Sequence, residues 1–276
     1  MADDLADIRA AYDRDPEHEW RRLETGAQAR LEYLITRHAL RRHLPPPGPL
    51  CRILDAGGGP GRYTIALAEC GYLVTLLDLS PALLALARQR LAEADATVRR
   101  HVEGMHEGSI TDLSRFADGR FDAVLCLGGP LSHLLDPRQR QRALAELGRV
   151  ARRRAPLFIS VMSRFGAYRS AVQWPDCYPQ FFPHLPKTGI AAIGPAGAPA
   201  YFFLPEELVA ELEAAGLTVE RLYGCNGLGA HLQEEHLEAL MANPERWPPW
   251  RDLLLATADH ANVVGVSNHL LAVACR

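Results

Sequence analysis

The chain has 276 residues, 48% of them hydrophobic and 23% charged, and a formal charge of −3 from 30 basic and 33 acidic side chains. That composition suits one large α/β domain with a substantial core, and its charge balance gives no electrostatic case for a nucleic acid or an anionic membrane, so neither is an expected partner. The six cysteines form no CxxC pair and no zinc-spaced set, the acidic N-terminus lacks an apolar signal core, and no apolar run reaches membrane-spanning length. The expectation is a cytoplasmic monomer or homodimer without a metal site.

Residues 5–44 read as helical, because Leu23, Leu31, Leu34 and Ile35 recur at helical spacing with charged residues on the other face. The run Pro45-Pro46-Pro47-Gly48-Pro49 stops this helical cap, residues 1–45, and opens the main domain, residues 46–276. Strand and helix then alternate. Cys51–Ala56 reads as a strand, Arg62–Cys70 as a helix closed by Gly71, and Tyr72–Asp78 as a second strand. Pro81–Glu93 reads as a helix with proline at its start, and Thr97–Val102 as a third strand. Phe121–Leu127 is the fourth strand, Gln139–Ala151 a helix and Pro156–Met162 the fifth strand. The alternation then breaks. The insertion 163–203, rich in Pro, Gly and the aromatic residues Trp174, Tyr178, Phe181 and Phe182, reads either as a folded lid over a site or as a surface loop packed on itself. Pro205 opens a further helix ended by Gly216, Thr218–Tyr223 is a sixth strand, residues 228–258 are mostly helical with a break at Asn243–Pro249, and Asn268–Cys275 is the last strand. The predicted architecture is a three-layer α-β-α sandwich around a mainly parallel sheet.

Chemistry concentrates in Asp55-Ala56-Gly57-Gly58-Gly59-Pro60-Gly61, where an apolar strand runs into a glycine-rich turn and a helix follows. Such glycines let the backbone approach a ligand closely, and the helix start offers free N–H groups. A dinucleotide fingerprint, G-x-G-x-x-G, would need glycine where Arg62 stands. Here the glycines alternate at positions 57, 59 and 61, and an acid precedes them. Asp78, ending the second strand, is placed to accept the ribose hydroxyls of an adenosyl group, while Ser80 suits the cap of the next helix. Gly108-Ser109-Ile110-Thr111-Asp112-Leu113 follows the third strand, with Asp112 free to serve the loop instead. Phe121-Asp122-Ala123-Val124-Leu125 opens the fourth strand, which continues into Leu127-Gly128-Gly129-Pro130-Leu131-Ser132-His133-Leu134.

Over roughly residues 50–165 these segments resemble the class I, Rossmann-like S-adenosylmethionine-dependent methyltransferases of the small-molecule type. The turn resembles that family's first motif, D-x-G-x-G-x-G, and F-D-x-V resembles the opening of its fourth strand. The resemblance implies a seven-stranded sheet whose last strand runs antiparallel, S-adenosyl-L-methionine as cofactor, S-adenosyl-L-homocysteine as product, and a small-molecule acceptor methylated on O, N, S or C. It places Asp55 near the methionine ammonium group, and Gly57, Gly58, Gly59 and Gly61 against the amino-acid and ribose portion. Asp78 falls at the ribose hydroxyls and Ser109 and Ile110 at the adenine, with Leu79 and Leu127 completing the cofactor set. Two departures stand out. Ser109 replaces an acid, which weakens the adenine contact, and Arg152-Arg153-Arg154-Ala155-Pro156 replaces the family's L-x-P-G-G turn.

Methyl transfer displaces a sulfonium leaving group, so alignment and exclusion of water carry most of the catalysis and no obligatory catalytic residue exists. His133 is the candidate base, with a hydrogen bond that orders its loop as the other reading. Tyr12 either closes over the cofactor as a lid or packs on the domain. Tyr168 and Trp174 either line an acceptor pocket or join the core. His231 and His236 lack the spacing of two ligands on one helical face and read as surface residues. Two other functions remain in view: a nicotinamide-dependent oxidoreductase, against which Arg62 speaks, and a non-catalytic S-adenosylmethionine-binding protein.

Overall fold

A computed structural model describes residues 2–48, 50–173, 184–193 and 198–276. The helical N-terminal stretch is divided into three. Helix α1 (Ala2–Asp13) ends before Pro16, α2 (Pro16–Arg21) starts where the Asp15 side chain accepts the His18 N–H, and α3 (Ala27–His43) follows Gly26, whose φ is +90°. A proline confined to a helix start and a glycine with positive φ each interrupt what the periodicity alone joins. Leu31, Ile35 and Ala39 of α3 share a buried cluster with Ile53, Phe158 and Val273, so α3 is a layer of the main fold.

Strands β1 (Arg52–Ala56), β2 (Leu73–Asp78), β3 (Val102–Glu107), β4 (Ala123–Cys126) and β5 (Pro156–Met162) pair in parallel in the order β3-β2-β1-β4-β5. After β6 (Ile190–Ile193) and β7 (Ala198–Tyr201), which form a separate hairpin, β8 (Thr218–Gly224) and β9 (His269–Cys275) complete the seven-stranded sheet. β9 lies between β5 and β8, antiparallel to both, as expected for the last strand. Side chains alternate between two buried clusters. Ile53, Leu125, Phe158 and Leu271 meet α3 and α4 (Arg62–Glu69) on one face. Leu54, Val124, Leu157 and Leu270 meet the opposite helical layer on the other. This period of two, buried on both sides, makes the three-layer sandwich.

Residues 97–101 do not form the third strand. Helix α5 (Pro81–Glu93) is followed by α6 (Ala96–His101), and β3 begins only at Val102. Val98, a β-branched residue that favours a strand reading, is buried from α6 in the cluster that holds Leu67 and Ala68 of α4. β3 is an edge strand, half-buried or exposed along its length, and lacks the continuous apolar run of the inner strands.

Helix α7 (Pro137–Val150) covers the second face and leads into β5. The described part of the insertion, α8 (Arg164–Gln173), α9 (Leu185–Thr188) and the β6–β7 hairpin, packs Ala167, Ala171, Leu185, Ala191, Ala200 and Phe202 around Met162. Trp174, Tyr178, Phe181 and Phe182 lie outside the described residues. Helix α10 (Pro205–Ala214) joins α7 on its face, and α11 (Glu234–Ala242) and α12 (Trp247–Thr257) join α3 on the other.

Candidate active site

From β1 the chain moves outward to β2 and β3, then returns to β4 and moves the other way to β5. Loops at the carboxyl ends of strands beside such a reversal diverge and leave a crevice. Here it is a partly enclosed cavity with about 970 Å3 of non-atom space, solvent mouth included. Gly57, Gly58, Gly59 and Pro60 form its floor. Asp78, Leu79, Gly108, Ser109 and Ile110 line one end, and Leu127, Gly128, Pro130, His133 and Leu134 the other. The roof comes from α1, α2 and the turn behind them, through Leu5, Ile8, Tyr12, Glu19, Arg22 and Leu23.

The floor is bare backbone for a steric reason. Gly57 has φ +73°, and a Cβ there would lie 2.5 Å from Pro130 Cγ. At Gly58 a Cβ would lie 2.4 Å from the Asp55 carboxylate beneath. The turn is pinned from below, since Gly57 N–H donates to Leu77 O at 2.7 Å and Gly59 N–H to Asp78 Oδ2 at 2.7 Å. Asp78 Oδ1 accepts the Ser80 N–H at 2.9 Å. Ser80, not Asp78, caps α5, its Oγ accepting the Leu83 N–H at 3.0 Å. Burial pushes Asp78 up to about 6 against the pull of these two N–H donors.

Asp55 sits under the floor rather than in the cavity wall. It is fully buried, Thr64 Oγ1 donates to its Oδ2 at 2.7 Å, and its Oδ1 has no hydrogen-bond partner among the described residues. Burial lifts it to about 6, with the Thr64 hydroxyl pulling it down and the Asp78 charge adding to the rise. Gly61 also lies behind the cavity wall, at the start of α4 with φ +80°. At the far end the Ser109 hydroxyl is 2.8 Å from Thr111 Oγ1, while Asp112 accepts the Ser114 N–H and serves the loop.

Tyr12 and His133 meet at the other end. The phenol oxygen is 2.6 Å from His133 Nε2, and His133 Nδ1 is 3.0 Å from the Pro199 carbonyl of β7. A carbonyl can only accept, so Nδ1 carries the proton. In the neutral ring Nε2 is then an acceptor, and the Tyr12 hydroxyl donates to it. Burial lowers His133 below its ordinary range, opposed by the Pro199 contact, and raises Tyr12.

Side chains with no motif around them hold the roof in place. Arg62, where a dinucleotide site would have glycine, donates from Nε to Trp20 O at 3.0 Å and pairs with Glu24. Arg62 and Arg90 flank the Trp20 ring at 4.4 and 5.2 Å. Arg22 lies over Gly128, pairing with Glu32 at 3.3 Å and Glu19 at 3.4 Å. Glu19 and Arg22 are cavity residues that the motifs do not reach: Arg22 stands in a helical, arginine-rich stretch without a distinguishing pattern. Tyr168 packs against the small core of the insertion and does not line this cavity. Trp174 lies outside the described residues. Among those residues no group of three or more His, Cys, Asp or Glu side chains could hold a metal ion.

A family model described as a methyltransferase domain matches residues 53–154. A ubiquinone biosynthesis O-methyltransferase of Xanthomonas axonopodis pv. citri (strain 306) is 34% identical over 198 residues, covering 71% of each chain. Among solved structures, a SAM-dependent methyltransferase from Methanosarcina mazei superposes with a TM-score of 0.57 at 18% identity, over 86% of this chain and 96% of that one. Magnesium protoporphyrin IX methyltransferase from Synechocystis PCC 6803, solved with bound SAM, gives a TM-score of 0.52 at 20% identity, over 79% and 88% of the two chains. At these identities the structural likeness speaks to the fold.

Proposed function

Since this chain belongs to the class I, Rossmann-like family of S-adenosylmethionine-dependent methyltransferases, we propose that its cavity holds S-adenosyl-L-methionine with the ribose on Asp78, the adenine beside Ser109 and Ile110, and the methionine end between Gly57 and Arg22. The bound donor supplies an electrophilic methyl group and leaves as S-adenosyl-L-homocysteine.

Convergence carries the reading. Four sequence segments, at the glycine turn, the end of β2, the loop after β3 and the end of β4, line one cavity. Its residues fit the donor's parts. Asp78 keeps lone pairs beyond those used by Gly59 and Ser80, and a vicinal diol donates to such a carboxylate. The positive-φ glycines leave room for a ligand against bare backbone. Leu79 and Leu127 supply apolar contact, and Arg22 with Glu19 presents opposite charges to a zwitterionic amino-acid end. Asp55 acts from below through its charge, favouring a cation above the floor. Arg62, tied to the roof, leaves the nicotinamide reading without its third glycine.

We take the acceptor to be a small molecule methylated on a hydroxyl oxygen. The Xanthomonas relative is named for O-methylation, and Leu5 and Ile8 in the roof, with Leu134 at the β4 end, give the cavity an apolar surface suited to an uncharged ring. His133 then stands on the side of the site where a proton is removed. Among the described residues no helix is long and apolar enough to cross a membrane. We place the enzyme in the cytoplasm, as a monomer or homodimer acting on neither nucleic acid nor membrane.

Titration calorimetry with S-adenosyl-L-homocysteine tests the donor site. The wild-type chain should bind, and Asp78→Ala should lose about 30-fold or more, because hydrogen bonds to a charged group contribute roughly 1.5–3 kcal/mol each. No binding at millimolar ligand, or unchanged affinity in the Ala variant, defeats the proposal.

A further inference from the structure

We propose that Tyr12, carried on the N-terminal helix α1, is the catalytic residue that takes the acceptor's proton and passes it to His133, so that the site methylates an uncharged hydroxyl group. The inference rests on the donor site described above and adds what the acceptor must be.

Three segments far apart in sequence meet at this pair: α1, the 3-10 turn Pro130–His133 after β4, and the β6–β7 hairpin. The Pro199 carbonyl fixes the tautomer of His133, and the tautomer fixes the direction of the bond from Tyr12. A phenol that donates its proton to Nε2 keeps its oxygen lone pairs for a donor in the cavity. Both side chains line that cavity at the end of β4, where the acceptor would meet the methyl group.

In the step this geometry allows, Tyr12 oxygen takes the acceptor's hydroxyl proton while its own proton moves to His133 Nε2. The acceptor oxygen–carbon bond forms as the carbon–sulfur bond breaks, with that electron pair staying on sulfur. The positive charge that leaves sulfur reappears on the His133 imidazolium, so the buried cavity keeps its net charge. Glu19, Asp78 and Arg22 are the charged groups acting on Tyr12, two acids against one base. Burial keeps both members of the pair neutral at rest. An acceptor that arrives already ionised, such as a carboxylate or thiolate, has no proton for this relay. A hydroxyl on an uncharged ring does.

The bland competitor is that Tyr12 only latches α1 to the domain. A latch would show in donor affinity, a relay in turnover and its pH dependence. Tyr12→Phe and His133→Gln are compared with the wild type in three measurements: S-adenosyl-L-homocysteine affinity by calorimetry, 15N NMR of His133 in the S-adenosyl-L-homocysteine complex, and transfer from labelled donor to phenol, catechol, 2-naphthol and, as the ionised probe, benzoate. The relay predicts methylation of at least one uncharged phenol and none of benzoate. Both variants should bind the product nearly as the wild type does and lose about 100-fold or more in kcat near neutral pH, with little change in KM. The gap should narrow at alkaline pH, where the phenol ionises unaided. The wild-type spectrum should show Nδ1 protonated and Nε2 bare. Equal kcat for Tyr12→Phe across the pH range, a defect confined to product affinity, a protonated Nε2, or methylation of benzoate alone overturns the relay. Product binding without transfer to any of the three phenols overturns the acceptor assignment. Failure of the wild type to bind S-adenosyl-L-homocysteine overturns the donor site instead.

Discussion

Replacing Asp55 by asparagine keeps the shape under the glycine turn and removes a buried charge. The carboxylate is fully buried, with Thr64 on one oxygen and no hydrogen-bond partner among the described residues on the other, and burial lifts it to about 6. Holding the acid at about 6 instead of its ordinary value disfavours the charged form by roughly 3 kcal/mol. The sign follows from linkage. A raised acid pKa means that the folded state binds the proton more tightly than the unfolded state. Stability therefore falls as pH climbs from the unfolded value towards 6, and the whole penalty is present above that. The amide removes the penalty but leaves one N–H side without a partner, which costs about 1–2 kcal/mol, so the net gain is about 1–2 kcal/mol at pH ~7.5. Without ligand, Tm should rise by about 3–6 °C at that pH. Near pH ~4.5 most of the charge penalty is already gone from the wild type, so the advantage disappears. Donor binding should move the other way. A unit charge about 6 Å below a cation, at an effective dielectric near 20, contributes on the order of 1–3 kcal/mol, so S-adenosyl-L-homocysteine affinity should fall about 10- to 100-fold. Thermal denaturation at the two pH values and calorimetry give both numbers. An asparagine variant that melts lower at pH ~7.5, or that binds the product as tightly as the wild type, refutes the account of Asp55.

Two further perturbations address the roof. Arg22→Gln should weaken S-adenosyl-L-homocysteine by about tenfold or more and also lower stability by about 3–5 kcal/mol, because it leaves Glu32 buried, with His269 Nδ1 3.8 Å away as its remaining basic partner among the described residues. The double variant Arg22→Met with Glu32→Leu should recover the stability and not the affinity; recovery of both would remove Arg22 from the donor site. Trp20→Ala takes away the ring between Arg62 and Arg90, contacts of this kind being worth about 1 kcal/mol each, so product should leave about tenfold faster in stopped-flow while association changes little. A wild-type dissociation rate would mean that α2 does not cover the bound cofactor.

The donor end of the site was legible because its determinants are local. Gly57, Gly59 and Gly61 each take a positive φ that the turn itself requires, and Asp78 marks the end of an inner strand whose apolar run is unmistakable. Where an element owes its form to its neighbours, the reading slipped. β3, exposed at the sheet edge, begins five residues after the expected start at Thr97, and the helical stretch before Pro45 is three helices, because periodicity does not register a break at Pro16 or Gly26. The resemblance implies Asp55 near the ammonium group, and the fold places the carboxylate beneath Gly58, behind the cavity wall. Its residue type was readable and its depth was not, since depth depends on how closely α4 and β2 pack around the turn.

Tyr12 and His133 show the same limit more sharply. Each could be singled out alone, but they lie 121 positions apart, and the carbonyl that sets the tautomer is another 66 positions beyond His133. No local pattern encodes a contact that exists only when α1, the turn after β4 and the insertion hairpin have docked. That dependence has a mechanistic consequence. The glycine floor is pinned to β2 through Leu77 O and the Asp78 carboxylate, so the proposed ribose site does not depend on the Tyr12–His133 bond. The Tyr12–His133 bond, by contrast, forms only with α1 in place over the cavity. In the proposed relay, enclosing the donor and completing the proton path would then be one event, which keeps the methyl group from water while a base stands ready. A substitution that loosens the roof without touching the cavity, such as Trp20→Ala, should then lower turnover through the same loss of closure that speeds product release. The two effects should appear together in one variant, whereas Tyr12→Phe should show the first without the second.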